Sequence, residues 1–287
     1  MGLVFQTIAN SLVLSCFYIL LTVGLTLVFG VMKTANYAHG EFYMLGAYTV
    51  WFFYAENGWP FFAAVAAAVV VVGLLGLLTE QLLFRPMRGN ILSGYIISIG
   101  LVFIMQVLVA EIFGKTIAKQ IPAAFAGSLN IGSIIVGWQR VIIIPIAIIT
   151  ITLLYIFLNK SKIGKGIRAS AFDGEAASLH GISATKSAFI ALGIGSGMAG
   201  LAGALMAPIM SITPYMGTLV IMMCFVIIIV GGPGNLKGAI IASILFGFLN
   251  TTITFFFDSV VAMIVASLVM GVVLSIKPEG IMGYAQT

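Results

Sequence analysis

Charge is what this sequence has least of. Asp, Glu, Lys and Arg make up 7% of its 287 residues, against roughly 25% in ordinary globular domains, too little to cover a water-soluble particle of this length. A soluble fold is excluded. Cysteine is equally scarce. Cys16 and Cys224 each lie inside an apolar run and far apart, which suggests neither a disulfide framework nor a metal knuckle. The two histidines, His39 and His180, are too few and too far apart for a metalloprotease helix or a typical zinc site, so no metal ligand and no catalytic residue is assigned. The net charge of +5 does not point to nucleic acid, because the basic residues cluster at the ends of apolar segments, where they orient helices. The chain start lacks the basic region and early cleavage site of a signal peptide, so its first apolar run is expected to be a retained helix.

What is abundant is apolar length. Hydrophobic residues make up 61% of the chain and the mean hydropathy is +1.20, so the fold class is an all-α, polytopic transmembrane bundle. A spanning helix needs about 20 apolar residues. On that measure the segments run over about 8–31, 41–55, 61–83, 94–114, 138–158, 187–207, 217–231, 238–257 and 259–276, giving eight or nine in a single transmembrane domain over 1–287. The second and seventh are short and glycine-bordered, as half-helices that line a cavity would be.

If all nine cross, Lys33, Arg85, Arg88, Lys160, Lys162, Lys165, Arg168, Lys186, Lys237 and Lys277 fall on one side, and Lys115, Lys119 and Arg140 on the other. The excess of positive charge places the first group in the cytoplasm. The longest cytoplasmic loop is then about 159–186. The longest outer loop, about 115–137, is rich in Gly, Ala and Ser and is expected to carry little structure of its own.

Inside the cytoplasmic loop, "DGEAASLHGI" carries both helix signals. Asp173 is placed to cap a helix beginning at Gly174, and Glu175 adds negative charge at its positive end. Gly181 is placed to adopt the left-handed conformation after His180, with Ile182 turning back toward Ala177. Two turns are too short to be stable alone. Phe172, Ala176 and Leu179, spaced by four and three, form one apolar stripe that needs a surface, either the lipid and its own bundle or a partner.

The residues Glu175, Ala176, Ala177 and Gly181 resemble the "EAA…G" loop of ABC-importer permeases. With "GLTLVFGVMKTANYAHGEFYMLGAY", "LLFRPMRG", "GKGIRASAFDGEAASLHGI", "AGLAGAL", "VGGPGNLKGA" and "KPEGIMG", nearly the whole chain is similar to the branched-chain amino-acid permease family, and to its shorter, H-type members. The resemblance implies an inner-membrane subunit that moves branched-chain or other neutral amino acids by alternating access. It implies a second related permease, two ATPase subunits carrying ATP and Mg, and an extracytoplasmic binding protein, with no cofactor on this chain. Arg168, Phe172, Asp173, Glu175, Ala176, Ala177, Leu179, Gly181 and Ile182 would form the ATPase-coupling loop. The rivals are the same architecture carrying urea, short amides or another small solute, and a self-sufficient carrier or channel, which would need central intramembrane charge.

One motif is set aside. "GSGMAG" at 195–200 satisfies G-x-G-x-x-G but lies in an apolar helix and follows no strand, so its glycines are read as a packing face. Glu80 and Glu111 lie near helix ends and are expected to reach the interface. Asn36, His39, Gly40 and Glu41, beside the break before the second segment, are candidates for a path or gate, against an ordinary cytoplasmic turn. Gly231 and Gly232, in a second glycine-rich junction at 230–238, are its expected counterpart in an internal repeat.

Overall fold

The computed structural model describes residues 2–114, 118–131 and 134–283. Helices dominate because bilayer hydrocarbon offers the backbone no hydrogen-bond partner, so each crossing segment must satisfy its own amides and carbonyls. Helix α1 (Gly2–Met32) ends at Lys33. Lys33 has φ 55°, the one non-glycine residue with positive φ among those described. The chain then runs non-helically to α2 (His39–Val50), which a wide π stretch extends over Trp51–Glu56. Helix α3 (Phe61–Thr79) also passes into a π stretch, Glu80–Phe84, before α4 (Ile91–Phe113). After strands β1 (Ser128–Ile131) and β2 (Ile134–Gly137) come α5 (Trp138–Val141) and α6 (Ile143–Lys160). The cytoplasmic α7 (Lys162–Phe172) and α8 (Gly174–Leu179) precede α9 (Ala184–Met206), α10 (Met216–Gly231), α11 (Leu236–Phe256) and α12 (Ser259–Ile276).

All nine expected segments are helical, and among the described residues seven stretches are long and apolar enough to cross a membrane. Two expectations are corrected. The outer loop is not structureless: β1 and β2 pair antiparallel, Ser128 opposite Gly137. The run Ile134–Val136 favours extended backbone, and the Gln6 side chain bonds both the N–H and the carbonyl of Ile135, at 2.9 and 3.0 Å, covering the free edge. Lys115 lies outside the described residues. The second correction is α7, which the loop reading omitted; Ser161 caps it by accepting from Gly164 N–H at 2.8 Å.

The basic-rich connections gather at one end. Lys33 Nζ donates to the Ala171 carbonyl at 2.7 Å, Arg88 reaches the Thr185 carbonyl, and Asn235 Nδ2 donates to the Met282 carbonyl at 2.6 Å. At the opposite end Lys119 pairs with Ile212, and Phe61 meets Phe125. The charge asymmetry makes the first end cytoplasmic.

Helices α1 and α9 cross at the centre with their backbones in contact. A Cβ on Gly24 would lie 2.9 Å from the Gly195 carbonyl oxygen, and one on Gly195 2.8 Å from that of Gly24. Gly40, at the start of α2, and Gly217, at the start of α10, exclude each other in the same mutual way. These two crossings pair α1 with α9 and α2 with α10. Helix α3 packs on α9 as α11 packs on α1, and the partners run in opposite directions, so α1–α4 and α9–α12 form an inverted repeat. The counterpart of the 33–40 stretch is therefore 207–217, not 230–238. Gly231 and Gly232 lie in the turn between α10 and α11, which corresponds to the turn at 57–60 between α2 and α3.

Helix α2 is buried along most of its length, while Leu74, Ile96, Phe103, Ile148, Leu153 and Leu268 present broad apolar faces to lipid. Close packing rather than a hydrophobic drive holds such helices together. Gly24→Leu should therefore destabilise the detergent-solubilised protein by about 2 kcal/mol or more. Gly271→Leu, at a glycine with no neighbour within 4 Å, should leave its thermal unfolding midpoint near wild type. Equal midpoints for the two variants would contradict this packing account.

Candidate functional site

Two arrangements stand out, one in water at the cytoplasmic end and one buried in the bundle. In the first, Asp173 adopts an extended backbone, ending α7, and its Oδ1 accepts from Glu175 and Ala176 N–H at 3.0 Å each. At the far end Gly181 has φ 78°. Gly181 N–H donates to the Ser178 carbonyl at 2.9 Å and Ile182 N–H to that of Ala177 at 3.1 Å. This is the paired-bond glycine stop that the sequence predicts. Ala177 faces the protein, whereas Phe172 and Leu179 are 82% and 87% exposed and Ala176 lies exposed between them. The three side chains are exposed, with Phe172 on the last turn of α7 and Ala176 and Leu179 on α8, and none of the described residues covers them.

Helix α7 fastens this element to the bundle. Ile167 is fully buried, Ser170 Oγ bonds Ser187 Oγ of α9 at 2.9 Å, and Arg168 bonds the Asn159 side chain at the end of α6. The bond from Lys33 to the Ala171 carbonyl ties α7 to the last turn of α1, immediately before the chain re-enters the bundle.

The second arrangement lies where that re-entry ends. His39 Nε2 donates to the Leu21 carbonyl at 3.1 Å. Leu21 is twelve residues before Lys33 along α1, about 18 Å at helical rise, so the start of α2 is deep in the bundle. Asn36, His39 and Glu41 are essentially inaccessible, which rules out the cytoplasmic-turn reading. Asn36 Oδ1 accepts from Ala38 N–H at 3.1 Å. Gln106 Nε2, from α4, donates to both Glu41 Oε1 and Thr218 Oγ1 at 2.9 Å, which links α2, α4 and α10 around the Gly40–Gly217 contact. Asn36 Nδ2, His39 Nδ1 and Glu41 Oε2 have no hydrogen-bond partner, although all are buried, and Glu41 has no ion-pair partner among the described residues. The arrangement is a buried polar cluster whose hydrogen-bonding capacity is only partly used.

Gly231 and Gly232 stand at the other end of α10, against Gly238 and Gly283, and are not brought to this cluster. Glu111 is exposed at the outer end of α4. Glu80 is not at an interface: it is fully buried and paired with Arg88. Sequence reading missed Gln106 and Thr218, whose signal was a lone polar residue within an apolar span, and singled out Glu41 without its depth in the bundle. No cluster of three potential metal ligands occurs among the described residues.

The family described as "Branched-chain amino acid transport system / permease component" matches residues 7–276. The chain is 30% identical to the high-affinity branched-chain amino acid transport system permease protein LivH of Escherichia coli, covering 97% of this chain and 95% of that protein. It is 28% identical to the corresponding permease protein BraD of Pseudomonas aeruginosa, over 97% and 95%. It is 26% identical to a probable LivH of Methanocaldococcus jannaschii, over 96% and 91%. No solved structure matches.

Replacing Gln106 by Leu would leave Glu41 Oε1 and Thr218 Oγ1 buried without their shared donor, at a cost of about 1–2 kcal/mol. Thermal unfolding should show Gln106→Leu below wild type. The double variant Glu41→Leu/Gln106→Leu should recover part of the loss, because an apolar pair leaves fewer unsatisfied groups. A double variant worse than the sum of the singles would refute the linkage.

Proposed function

This chain belongs to the permease family of branched-chain amino acid transport systems, and from that premise we propose that it forms the membrane pathway of an ATP-driven importer. The substrate is a branched-chain or other neutral amino acid, and the setting is a bacterial-type inner membrane. Two ATPase subunits holding ATP and Mg, a second related permease and an extracytoplasmic binding protein complete the machine. This chain supplies passage rather than catalysis, and binds no cofactor itself.

The observation that carries this reading is the pair of water-exposed apolar side chains at the two ends of the α7–α8 corner. A short helix capped at both ends, with Leu179 on it and Phe172 on the last turn of α7 both in water, is built to be gripped. ATP-driven closure of the ATPases would displace α8, and α7 would pass the displacement to the ends of α1, α6 and α9. Through Lys33 it reaches the 33–38 segment and the polar cluster behind it. Parting α2 from α10 there would exchange the partners of Glu41, Gln106 and Thr218, and the buried groups now unpaired are available to the alternative arrangement or to the passing solute.

Affinity purification of the tagged permease should recover both ATPases from wild type and lose them from Phe172→Ser/Leu179→Ser. A variant that keeps its ATPases, or a chain that transports the solute without ATP, would overturn the reading. Gly181→Val should impair coupling or assembly, because a β-branched residue resists positive φ; normal ATP-driven uptake would count against it. Lys33→Ala should leave the ATPases bound while lowering uptake per ATP hydrolysed, measured in proteoliposomes. Competition of labelled leucine uptake by urea and short amides separates the alternative solutes.

A further inference from the structure

A cavity of about 410 Å³ opens at the outer end of the bundle, in the size range of small-molecule sites. It is walled by the first turns of α1, the last turns of α9 and α11, and Arg140 of α5. Its lining is divided. Val13, Met206 and Ile209 give an apolar wall, and Asn10, Asn250 and Thr251 a polar one. Arg140 Nη1 donates to Asn10 Oδ1 at 3.0 Å, and no carboxylate pairs with this guanidinium among the described residues. The cavity therefore holds an unneutralised cation beside uncharged hydrogen-bond acceptors and an aliphatic surface.

The inverted repeat supplies a comparison within the same molecule. A second cavity, of about 270 Å³, lies at the cytoplasmic end between the last turn of α1, the end of the α3 segment and the start of α9. That is the place the two-fold relation assigns to the partner of the outer cavity. It too has an arginine, Arg88, but Glu80 pairs with it. The second cavity also holds Lys33, whose Nζ donates to the Ala171 carbonyl, so the two differ in their guanidinium, unpaired in the outer cavity and paired with a carboxylate in the inner one.

We propose that the outer cavity is the loading site for the solute, taking the carboxylate of a zwitterionic aliphatic amino acid on Arg140. Its ammonium lies among the oxygens of Asn250 and Thr251, and its side chain rests on Val13, Met206 and Ile209. Guanidinium matches carboxylate geometry in a way few other groups do. At the cytoplasmic end the guanidinium of Arg88 is already taken by Glu80 and offers the same headgroup no bidentate partner. The assignment deepens the importer reading and rests on it for the choice of solute.

The test uses the assembled transporter in membranes, with Cys16 and Cys224 changed to Ser and Thr254→Cys introduced at the cavity wall. A membrane-impermeant maleimide added from the outer side should label this cysteine. Excess leucine should slow labelling, and isoamylamine, which is leucine without its carboxylate, should not. In Arg140→Gln the leucine concentration needed for protection should rise about tenfold or more. Ile209→Trp, which fills the cavity, should abolish protection without touching Arg140. Labelling indifferent to leucine, or equal protection by isoamylamine, would overturn the assignment, the latter marking an apolar site for lipid-like molecules. Leucine uptake by the wild-type complex is measured in the same membranes. ATP-driven uptake without protection removes the cavity assignment alone, and protection without ATP-driven uptake removes the importer reading while supporting the cavity.

Discussion

Everything in this bundle depends on two helices being able to touch along their backbones. In hydrocarbon, apolar side chains gain nothing by leaving lipid for one another, so association must come from close packing and internal hydrogen bonds. Gly24 and Gly195 bring α1 and α9 together without intervening side chains. Around that crossing α3 lies against α9 and α11 against α1. The mutual exclusion of Gly40 and Gly217 repeats the relation one layer away, where α2 and α10 begin. Short helices that start inside the bundle need non-helical approaches, and those approaches are where the buried polar groups collect.

Function follows from what connects the layers. The cytoplasmic α7–α8 unit is held to α1, α6 and α9, and its bond to α1 ends on Lys33, where the re-entrant stretch begins. Displacement at the surface thus has a short covalent route to the polar cluster, through Lys33 and the five residues after it. The two cavities lie at opposite ends and in opposite halves. A tilt about the α1–α9 crossing widens one as it narrows the other, which is the geometry that alternating access requires.

Much of this was legible in the residues. The nine segments, the orientation and both ends of α8 follow from apolar length, lysine and arginine placement, and the spacing of Asp173 from Gly181. Asn36, His39 and Glu41 stood out because polar groups are costly among apolar neighbours. Their depth did not, since it depends on five residues that leave the helix in a bend and a turn. Gln106, Thr218 and Arg140 were passed over because each matters only through a partner far away in sequence. The true repeat was hidden for a similar reason: glycine-rich composition drew attention to 230–238, whereas the symmetry is carried by the pairing and direction of the helices, which composition does not record. The hairpin was obscured by the small residues before it.

The exposure of Phe172 and Leu179 has a consequence for the life of the subunit before assembly. An isolated copy displays in the cytosol the feature by which chaperones and proteases recognise unfinished proteins, apolar side chains with no cover. Once a partner shields the two side chains, that signal disappears. A copy whose two side chains stay uncovered keeps an apolar patch in water, the kind of surface that makes a subunit prone to aggregate.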